Sequence, residues 1–161
     1  MKTRSILIAA VLVLLVSSFT ASAQNGNFTG EWKLNTEKTV LPGDQLYLLK
    51  ITVKQDGNNL LTTRVYSNSN GEEYPFEENL TLDGKECKIT IYEMPRVSKA
   101  TKAADGSIAI ESVTTFNANG SEENLVANEV WKMDKDTLTI DVTNKMMGNE
   151  IKGVTYYNKV K

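Results

Sequence analysis

The sequence has 161 residues, and its 18 lysines and arginines against 20 aspartates and glutamates give a net charge of −2. Charges of both signs are interspersed, which argues against nucleic acid as the main partner. There is no histidine, which excludes a histidine-based catalytic triad and histidine metal ligands, and a lone cysteine allows no internal disulfide. The length suits one domain with a hydrophobic core.

The first 23 residues have the pattern of an export signal. Lys2 and Arg4 precede an unbroken apolar run, and residues 21–23, Ala-Ser-Ala, supply the small-x-small pattern that a signal peptidase accepts. The apolar run is shorter than the about 20 residues that a membrane-spanning helix needs. We therefore expect a signal peptide over 1–23, one domain over 24–161, and an exported protein, periplasmic or secreted, without a lipid anchor or membrane span.

Turn-forming residues divide the rest of the chain at nearly even spacing, and most gaps fit one strand and its turn. Asp-Gly and Asn-Gly pairs accept the positive φ angles of tight hairpin turns. The turns are expected at Asp56-Gly57, Asn70-Gly71, Asp83-Gly84, Asp105-Gly106, Asn119-Gly120, Asp134-Lys135-Asp136 and Gly148-Asn149.

Between these turns, apolar and polar residues alternate with a period of two, as in half-buried strands. The alternation changes parity within 107–116, which predicts a bulge near Glu111-Ser112. A longer gap fits two strands separated near Met94-Pro95, and the connection 35–45 is long enough for a short helix or a lid. The predicted strands are 28–34, 46–55, 60–67, 76–82, 86–92, 96–103, 107–116, 124–133, 137–144 and 150–160.

This series of short-linked strands predicts an all-β, antiparallel fold. Closing the sheet removes its two exposed edges, so an up-and-down barrel of about eight to ten strands is the first choice and a two-sheet sandwich the second. Side chains can fill the interior of such a barrel, or the interior can hold one small ligand.

Several segments resemble small secreted bacterial lipocalin-like proteins, in an order that covers most of the expected domain. They begin with Phe-Thr-Gly-Glu-Trp-Lys-Leu-Asn-Thr-Glu-Lys at 28–38 and continue at 51–58, 80–86, 129–133 and 138–140. The resemblance implies a calycin-type barrel that binds a small hydrophobic or amphipathic molecule and needs no cofactor.

The same resemblance assigns a barrel-closing motif to Gly30 and Trp32. It implies that glycine allows close backbone approach while tryptophan packs across the closed end. Lipocalins usually stack an arginine from the last strand on that tryptophan. The last strand here offers three lysines, Lys152, Lys159 and Lys161, and a lysine can also cover a ring.

Polar and aromatic residues on otherwise apolar strand faces are the candidates for ligand contacts. Such groups orient the polar end of a ligand inside an apolar pocket. The alternative is that each faces outward, pairs with a neighbour or belongs to the core. The candidates are Thr63, Glu129, Trp131, Tyr156 and Asn158.

Arg64 and Tyr66 lie on the strand face opposite Thr63, and we therefore expect them on the outer surface. If the register of that strand were reversed, Arg64 would instead be the natural partner of a carboxylate ligand. Adjacent glutamates such as Glu122-Glu123 point to opposite strand faces, which disfavours a glycosidase pair.

The sequence therefore predicts an exported, non-catalytic barrel that binds a small hydrophobic ligand, with no metal and no cofactor. The alternative is a filled barrel that acts as a protein- or glycan-interaction module. The ligand's identity and the oligomeric state are left open.

Overall fold

The computed structural model describes residues 26–41 and 45–161, so the expected signal peptide lies outside the described residues. Within them the chain forms ten β-strands and no helix. The strands are β1 Gly30–Leu34, β2 Tyr47–Asp56, β3 Asn59–Ser67, β4 Glu73–Thr81, β5 Cys87–Ile91, β6 Met94–Lys102, β7 Ile108–Ala118, β8 Ser121–Asp134, β9 Thr137–Met146 and β10 Asn149–Lys159.

The strands form one antiparallel sheet in the order β4-β3-β2-β1-β10-β9-β8-β7-β6-β5. Every neighbouring pair is adjacent in sequence except β1 and β10, which join the two ends of the domain through Trp32 opposite Lys159 and Leu34 opposite Tyr157. The sheet curls into a nearly closed barrel. The expected up-and-down, lipocalin-like barrel is confirmed, because each predicted strand has its counterpart in this order.

The two edges of the sheet, β4 and β5, meet along a line that we call the seam. One isolated backbone bridge, Asp83 to Thr101, lies near one end of the seam, beside the ends of β4 and β6. Side chains join the rest of the seam: at its upper end the Tyr92 hydroxyl donates a hydrogen bond of 2.8 Å to the Pro75 carbonyl. Apart from that bridge, no backbone ladder joins β4 to β5 among the described residues.

The turn between β5 and β6 lies at Tyr92-Glu93, two residues before the expected position. Both residues have positive φ, 47° and 69°. That is the backbone of a tight hairpin turn, and it is strained for residues with a Cβ. The ring of Tyr74 packs edge-on against Tyr92 at 6.1 Å, which helps to hold this turn over the seam.

The N-terminal residues and Trp32 fill one end of the barrel, which we call the closed end. Trp32 is fully buried, and its indole N–H donates to the Phe28 carbonyl at 2.8 Å. Lys159 lies across the ring with its Nζ 5.3 Å from the centroid, so a lysine covers this tryptophan. Gly30 has a φ of 152°, which residues with a Cβ rarely adopt, and a Cβ there would also lie 2.7 Å from Lys159 Cε, so glycine suits this position.

The connection after β1 runs toward the other end of the barrel, the open end. Residues 36–39 form a turn in which the Asn35 carbonyl accepts from the Thr39 N–H at 3.0 Å. No helix occurs at 35–41 or 45–46, where one was considered; 42–44 lie outside the described residues. Because β1 ends at Leu34, no described residue forms a ladder with β10 on that side from Asn149 to Val154.

Candidate functional site

The barrel interior changes character between its two halves. In the closed half the inward-facing side chains are apolar and almost completely buried, at 0–2% exposure for those at its centre. They come from β1, β2, β3, β4, β7, β8 and β9. Those centre residues are Trp32, Ile51, Leu60, Leu80, Ile108, Trp131 and Leu138. This half is a filled core, as the interior of a small barrel can be.

Four charged side chains cross the interior above this core, and we call them the charge layer: Arg64, Glu78, Arg96 and Glu129. Arg64 Nη1 donates to Glu129 Oε1 at 2.7 Å, and Arg64 Nε lies 3.6 Å from Glu78 Oε2. Arg96 Nε donates to Glu78 Oε1 at 2.8 Å across the seam. None of the four is more than 8% exposed.

Neighbouring residues hold the carboxylates of the layer in place. The Trp131 indole N–H donates to Glu129 Oε2 at 2.7 Å, and the Ser98 hydroxyl donates to Glu78 Oε1 at 2.6 Å. Arg64 also lies over the Trp131 ring, with Cζ 5.2 Å from the centroid. These contacts therefore hold the charged side chains of the layer in place directly above the apolar core.

The protonation states of the layer follow from its geometry. Burial raises the pKa of the Glu78 carboxyl, but attraction to Arg64 and Arg96 outweighs it and the net pKa is lowered. Burial likewise lowers the pKa of Arg64, and attraction to Glu129 and Glu78 reverses it, so the net pKa is raised. Burial raises the pKa of Tyr66, which the nearby Arg64 partly offsets. Arg64 and Glu78 are therefore charged near neutral pH.

The hydrogen bonding of the layer is incomplete. Arg64 Nη2 and Thr62 Oγ1 have no hydrogen-bond partner among the described residues, although both side chains are fully buried. Arg64 Nε and Glu78 Oε2 also lack one, but they lie 3.6 Å apart and attract each other. Buried donors are paired in most proteins, so an unpaired guanidinium nitrogen calls for an explanation.

Above the layer, most inward-facing positions are only half-buried, and we call this open half of the interior the cup. Strand pairing places Val142 opposite Glu129 and Leu125 opposite Met146, so each pair shares the inner face. Further inward residues of the cup are Leu48, Tyr66, Phe76, Phe116, Asn144 and Ile151. The exposure of Ile151 reaches 52%, whereas no inward residue at the centre of the closed half exceeds 2%.

The structure places the five expected ligand-contact residues on two different faces. Glu129 and Trp131 face inward, are buried and belong to the charge layer and its support. Thr63 and Tyr156 were expected on the inner face, and this placement is wrong: the inner positions are Thr62, Arg64 and Tyr157. Asn158 is exposed and accepts from the Asn35 side chain at 3.3 Å.

The expected outward orientation of Arg64 is also wrong, and the reason is physical. The inward face of β3 reads Leu60, Thr62, Arg64, whereas its outward face carries the more apolar Leu61 and Val65. Glu129 and Glu78 compensate the buried guanidinium, so the polar face can turn inward. Alternation of hydropathy alone cannot identify this arrangement.

The bulge expected near Glu111-Ser112 does not occur. β7 pairs without a register shift with both neighbours, and the inward positions Ser112 and Thr114 are buried although polar. The apparent change of parity arises because Val113 faces outward and is 38% exposed. The polar residues on the inner face of β7 therefore made the alternation look as if it changed parity.

The sequence does carry one signal for the charge layer. The chain has three arginines, and both of those beyond Arg4 lie within strands, whereas its other cations are lysines. Arginine suits buried ion pairs better than lysine, because its planar fork meets carboxylates in two directions. A search for arginines within the predicted strands would therefore have found Arg64 and Arg96.

Two surface depressions lie outside the cup. One, of about 270 Å³, lies at the closed end beside Phe28, Ser107 and Met133. The other, a shallow groove of about 410 Å³, crosses the outer wall of β8, β9 and β10 beside Val130 and Val154. Within residues 26–41 and 45–161, the structure contains no helix with the length and hydropathy of a membrane-spanning segment.

Similar structures exist among proteins of different sequence. A secretory abundant heat soluble (SAHS) protein of Ramazzottius varieornatus matches with a TM-score of 0.54 at 14% identity, over 83% of this chain and 95% of that chain. Its secretory abundant heat soluble protein 4 matches with a TM-score of 0.50 at 11% identity, over 83% and 94%. No family model and no curated protein matches the sequence. At such identities the likeness shows the fold alone, an antiparallel, lipocalin-like β-barrel.

Proposed function

We propose that this protein is an exported, non-catalytic barrel that binds a small amphipathic ligand in the cup. The observation that carries the proposal is the partial exposure of inward-facing apolar residues above the charge layer, which reaches 52% at Ile151. The apolar part of the ligand would lie against half-exposed inward residues such as Leu125 and Val142. Export rests on the sequence pattern of residues 1–23.

The energetics of the charge layer favour a binding role over a purely structural one. Removing two charges from water costs several kcal/mol per ion, and well-packed apolar residues often stabilise a core equally well or better. The apolar closed half shows that the chain builds such a core where stability alone is required. Buried polar groups beside partly exposed apolar residues are a common arrangement of a ligand site.

The test is the binding of Nile red, an uncharged apolar dye whose fluorescence rises in apolar surroundings. Val142 faces the cup, and its neighbour Thr143 faces outward on the same strand. We expect the protein to bind the dye, Val142→Arg to weaken binding by at least about tenfold, and Thr143→Arg to bind as the wild type does. Absence of binding, or equal loss in both variants, would contradict a site in the cup.

The open edge of β10 favours a second candidate function, self-association. From Asn149 to Val154 the strand is exposed and no described residue forms a ladder with its β1 side. Two copies paired antiparallel about Ile151 would place Glu150 of each opposite Lys152 of the other, so the edge is complementary to itself. A second copy of this chain is therefore the partner that we assign to it.

Self-association is tested by sedimentation of the full-length protein over a range of concentrations. We expect a concentration-dependent dimer that Ile151→Pro removes, because proline interrupts an edge strand. A second variant, Glu150→Lys, leaves the backbone intact and places a lysine opposite Lys152 of the other copy, so it should also weaken the dimer. A monomer at all concentrations would contradict this second function and leave ligand binding untouched.

A further inference from the structure

We propose that Met146 and Met147 form an oxidation-sensitive contact between two copies of this protein, and that conversion of their thioethers to sulfoxides separates the copies. This inference rests on the second proposed function, the pairing of two copies through β10, and adds its regulation. It follows from the exposure and backbone of the β9–β10 turn, from the place of that turn in the pair and from the chemistry of methionine.

The turn between β9 and β10 presents two methionines to solvent at the open end of the barrel. Met147 is 54% exposed and Met146 is 42% exposed. The other methionines of the described residues, Met94 and Met133, are half-buried, and Met133 packs against the apolar core. Because oxidation of methionine follows its exposure, a peroxide reaches the sulfur atoms of the turn first.

The backbone of Met147 is unusual for a methionine. Met147 and Gly148 are the central residues of a two-residue turn, with φ angles of 49° and 78°. Such turns favour asparagine, aspartate or glycine, and the corresponding turn between β7 and β8 has Asn119 in that place, with a φ of 52°. A methionine held in a strained backbone points to a role of its side chain outside the turn.

Residues 39–41 place a second exposed apolar segment along the open edge of β10. The Tyr156 N–H donates to Thr39 Oγ1 at 3.1 Å, and the Tyr156 carbonyl accepts from the residue that follows β1, so this segment lies on the β1 side of the strand. Val40 is 94% exposed, and Leu41 is exposed as well. The segment therefore flanks the unpaired edge at the end nearer the closed half of the barrel.

Pairing of two copies about Ile151 brings the turn of one copy to this segment of the other. In that antiparallel register Met147 of one copy lies opposite Thr155 of the other, one residue from Tyr156. The turn of each copy then contacts Val40 of the other, and the two-fold symmetry produces the contact twice. Methionine suits such a contact, because its flexible thioether side chain adapts to an irregular apolar surface.

Oxidation of the turn changes this contact and leaves the chain intact. Hydrogen peroxide transfers one oxygen atom to the thioether sulfur: the O–O bond breaks, an S–O bond forms, the sulfur is oxidised and the peroxide is reduced to water. The reaction takes place on the separate copy, in which Met147 is exposed. A sulfoxide is polar, so its burial against Val40 costs free energy that burial of a thioether does not. Oxidised copies therefore pair more weakly.

The experiment measures sedimentation of the full-length protein before and after treatment with hydrogen peroxide, and mass spectrometry identifies the oxidised residues. We expect oxidation of Met146 and Met147 to raise the dissociation constant of the dimer at least about tenfold. Methionine sulfoxide reductases should restore the dimer, because they reverse this modification. This recovery is measured on the wild type and needs no variant.

The matched variant carries both Met146→Leu and Met147→Leu, which keeps apolar side chains and removes the two sulfur atoms. It retains Met94, Met133 and the half-buried Cys87, so any effect of their oxidation would persist in it. The variant should dimerise as the wild type does, both before and after treatment with peroxide.

An unchanged dissociation constant in wild-type protein oxidised at both methionines would overturn the inference, as would a dimer that the reductases do not restore. Equal loss of the dimer in the peroxide-treated leucine variant would also overturn it, because the sensitive group would then lie elsewhere. The same holds for a leucine variant that is folded, by circular dichroism, but does not dimerise. A wild type that is monomeric before oxidation would contradict self-association instead.

Discussion

The closed and open halves of the barrel differ in what fills their interior. In the closed half, inward side chains such as Leu60 and Trp131 are fully buried and apolar, and Lys159 covers the base. In the open half, the inward positions are polar or half-exposed, as at Asn144 and Ile151. One half is therefore a packed core, and the other keeps its inward side chains partly exposed.

The charge layer lies at the boundary between the packed closed half and the partly exposed open half. Below it, burial of apolar surface stabilises the fold by about 25 cal/mol per Å². Above it, the same strands give up packing, since inward side chains there keep part of their surface exposed. Variants at different places in the barrel should then differ in stability or in binding, and four pairs of variants test this.

The largest effect is expected at the boundary itself. Arg64→Met leaves Glu129 and Glu78 buried without their shared cation, and we expect it to lower the free energy of unfolding by about 3–5 kcal/mol. Urea unfolding measures the loss. Lys132→Met, which removes an exposed ion pair to Asp141, should cost no more than about 1 kcal/mol. Similar losses in both would mean that the layer is not a buried unit.

The next effect compares one leucine in each half. Leu60 is fully buried in the closed half, and Leu60→Ala should lower the free energy of unfolding by about 2–5 kcal/mol. Leu125 faces the half-exposed cup, and Leu125→Ala should cost less than half as much but weaken Nile red binding. Equal destabilisation by the two variants would show that the cup is packed like the core.

Two glycines within strands give a smaller and opposite pair of effects. Gly30→Ala places a Cβ against Lys159 Cε, and displacing that side chain from Trp32 should cost about 1–2 kcal/mol. At Gly153 the nearest atom to a new Cβ is Val142 Cγ1 at 3.9 Å, an ordinary contact. Gly153→Ala should therefore be neutral or stabilise by about 0.5 kcal/mol, because alanine restricts the unfolded chain. Thermal unfolding of both variants measures these two changes in stability.

The smallest effect is a change in the pH dependence of stability. The pKa of Glu78 is lower in the folded protein than the ordinary 4.5, so the unfolded chain takes up the proton first as pH falls. Its stabilising contribution is therefore complete above pH 4.5 and is lost below it. Glu78→Gln should show a shallower loss of stability than the wild type under acid conditions, and Glu77→Gln, on the exposed neighbour, should keep the wild-type slope. A wild-type slope in Glu78→Gln would contradict the charged state assigned to Glu78.

The sequence predicts the barrel well because strands and turns are local features. The turn glycines Gly57, Gly71 and Gly120 have the positive φ angles that their pairs imply, and all ten strands occur near the predicted positions. Alternation also identifies the inner face where that face is apolar, as in Leu138 and Ile140. In the closed half, hydropathy and burial therefore agree.

Prediction of the inner face fails where that face is polar. Thr62 and Arg64 on β3, Ser112 on β7 and Thr155 on β10 face inward, and their more apolar neighbours face outward. Contacts between distant strands decide these orientations, above all the pairing of Arg64 with Glu129 at 65 residues' separation. A single strand read alone does not contain that information.

The strand order has a consequence for how the barrel forms. All ladders but one join neighbours in sequence, so two meanders, β1 to β4 and β5 to β10, can assemble from successive hairpins at little cost in chain entropy. Only the short ladder from Trp32 to Leu34 with β10 closes the whole chain, and its entropic cost grows with that loop. We therefore expect Gly30→Ala to accelerate unfolding and leave the folding rate nearly unchanged in stopped-flow kinetics, because closure follows the transition state. Slower folding in that variant would instead place closure first.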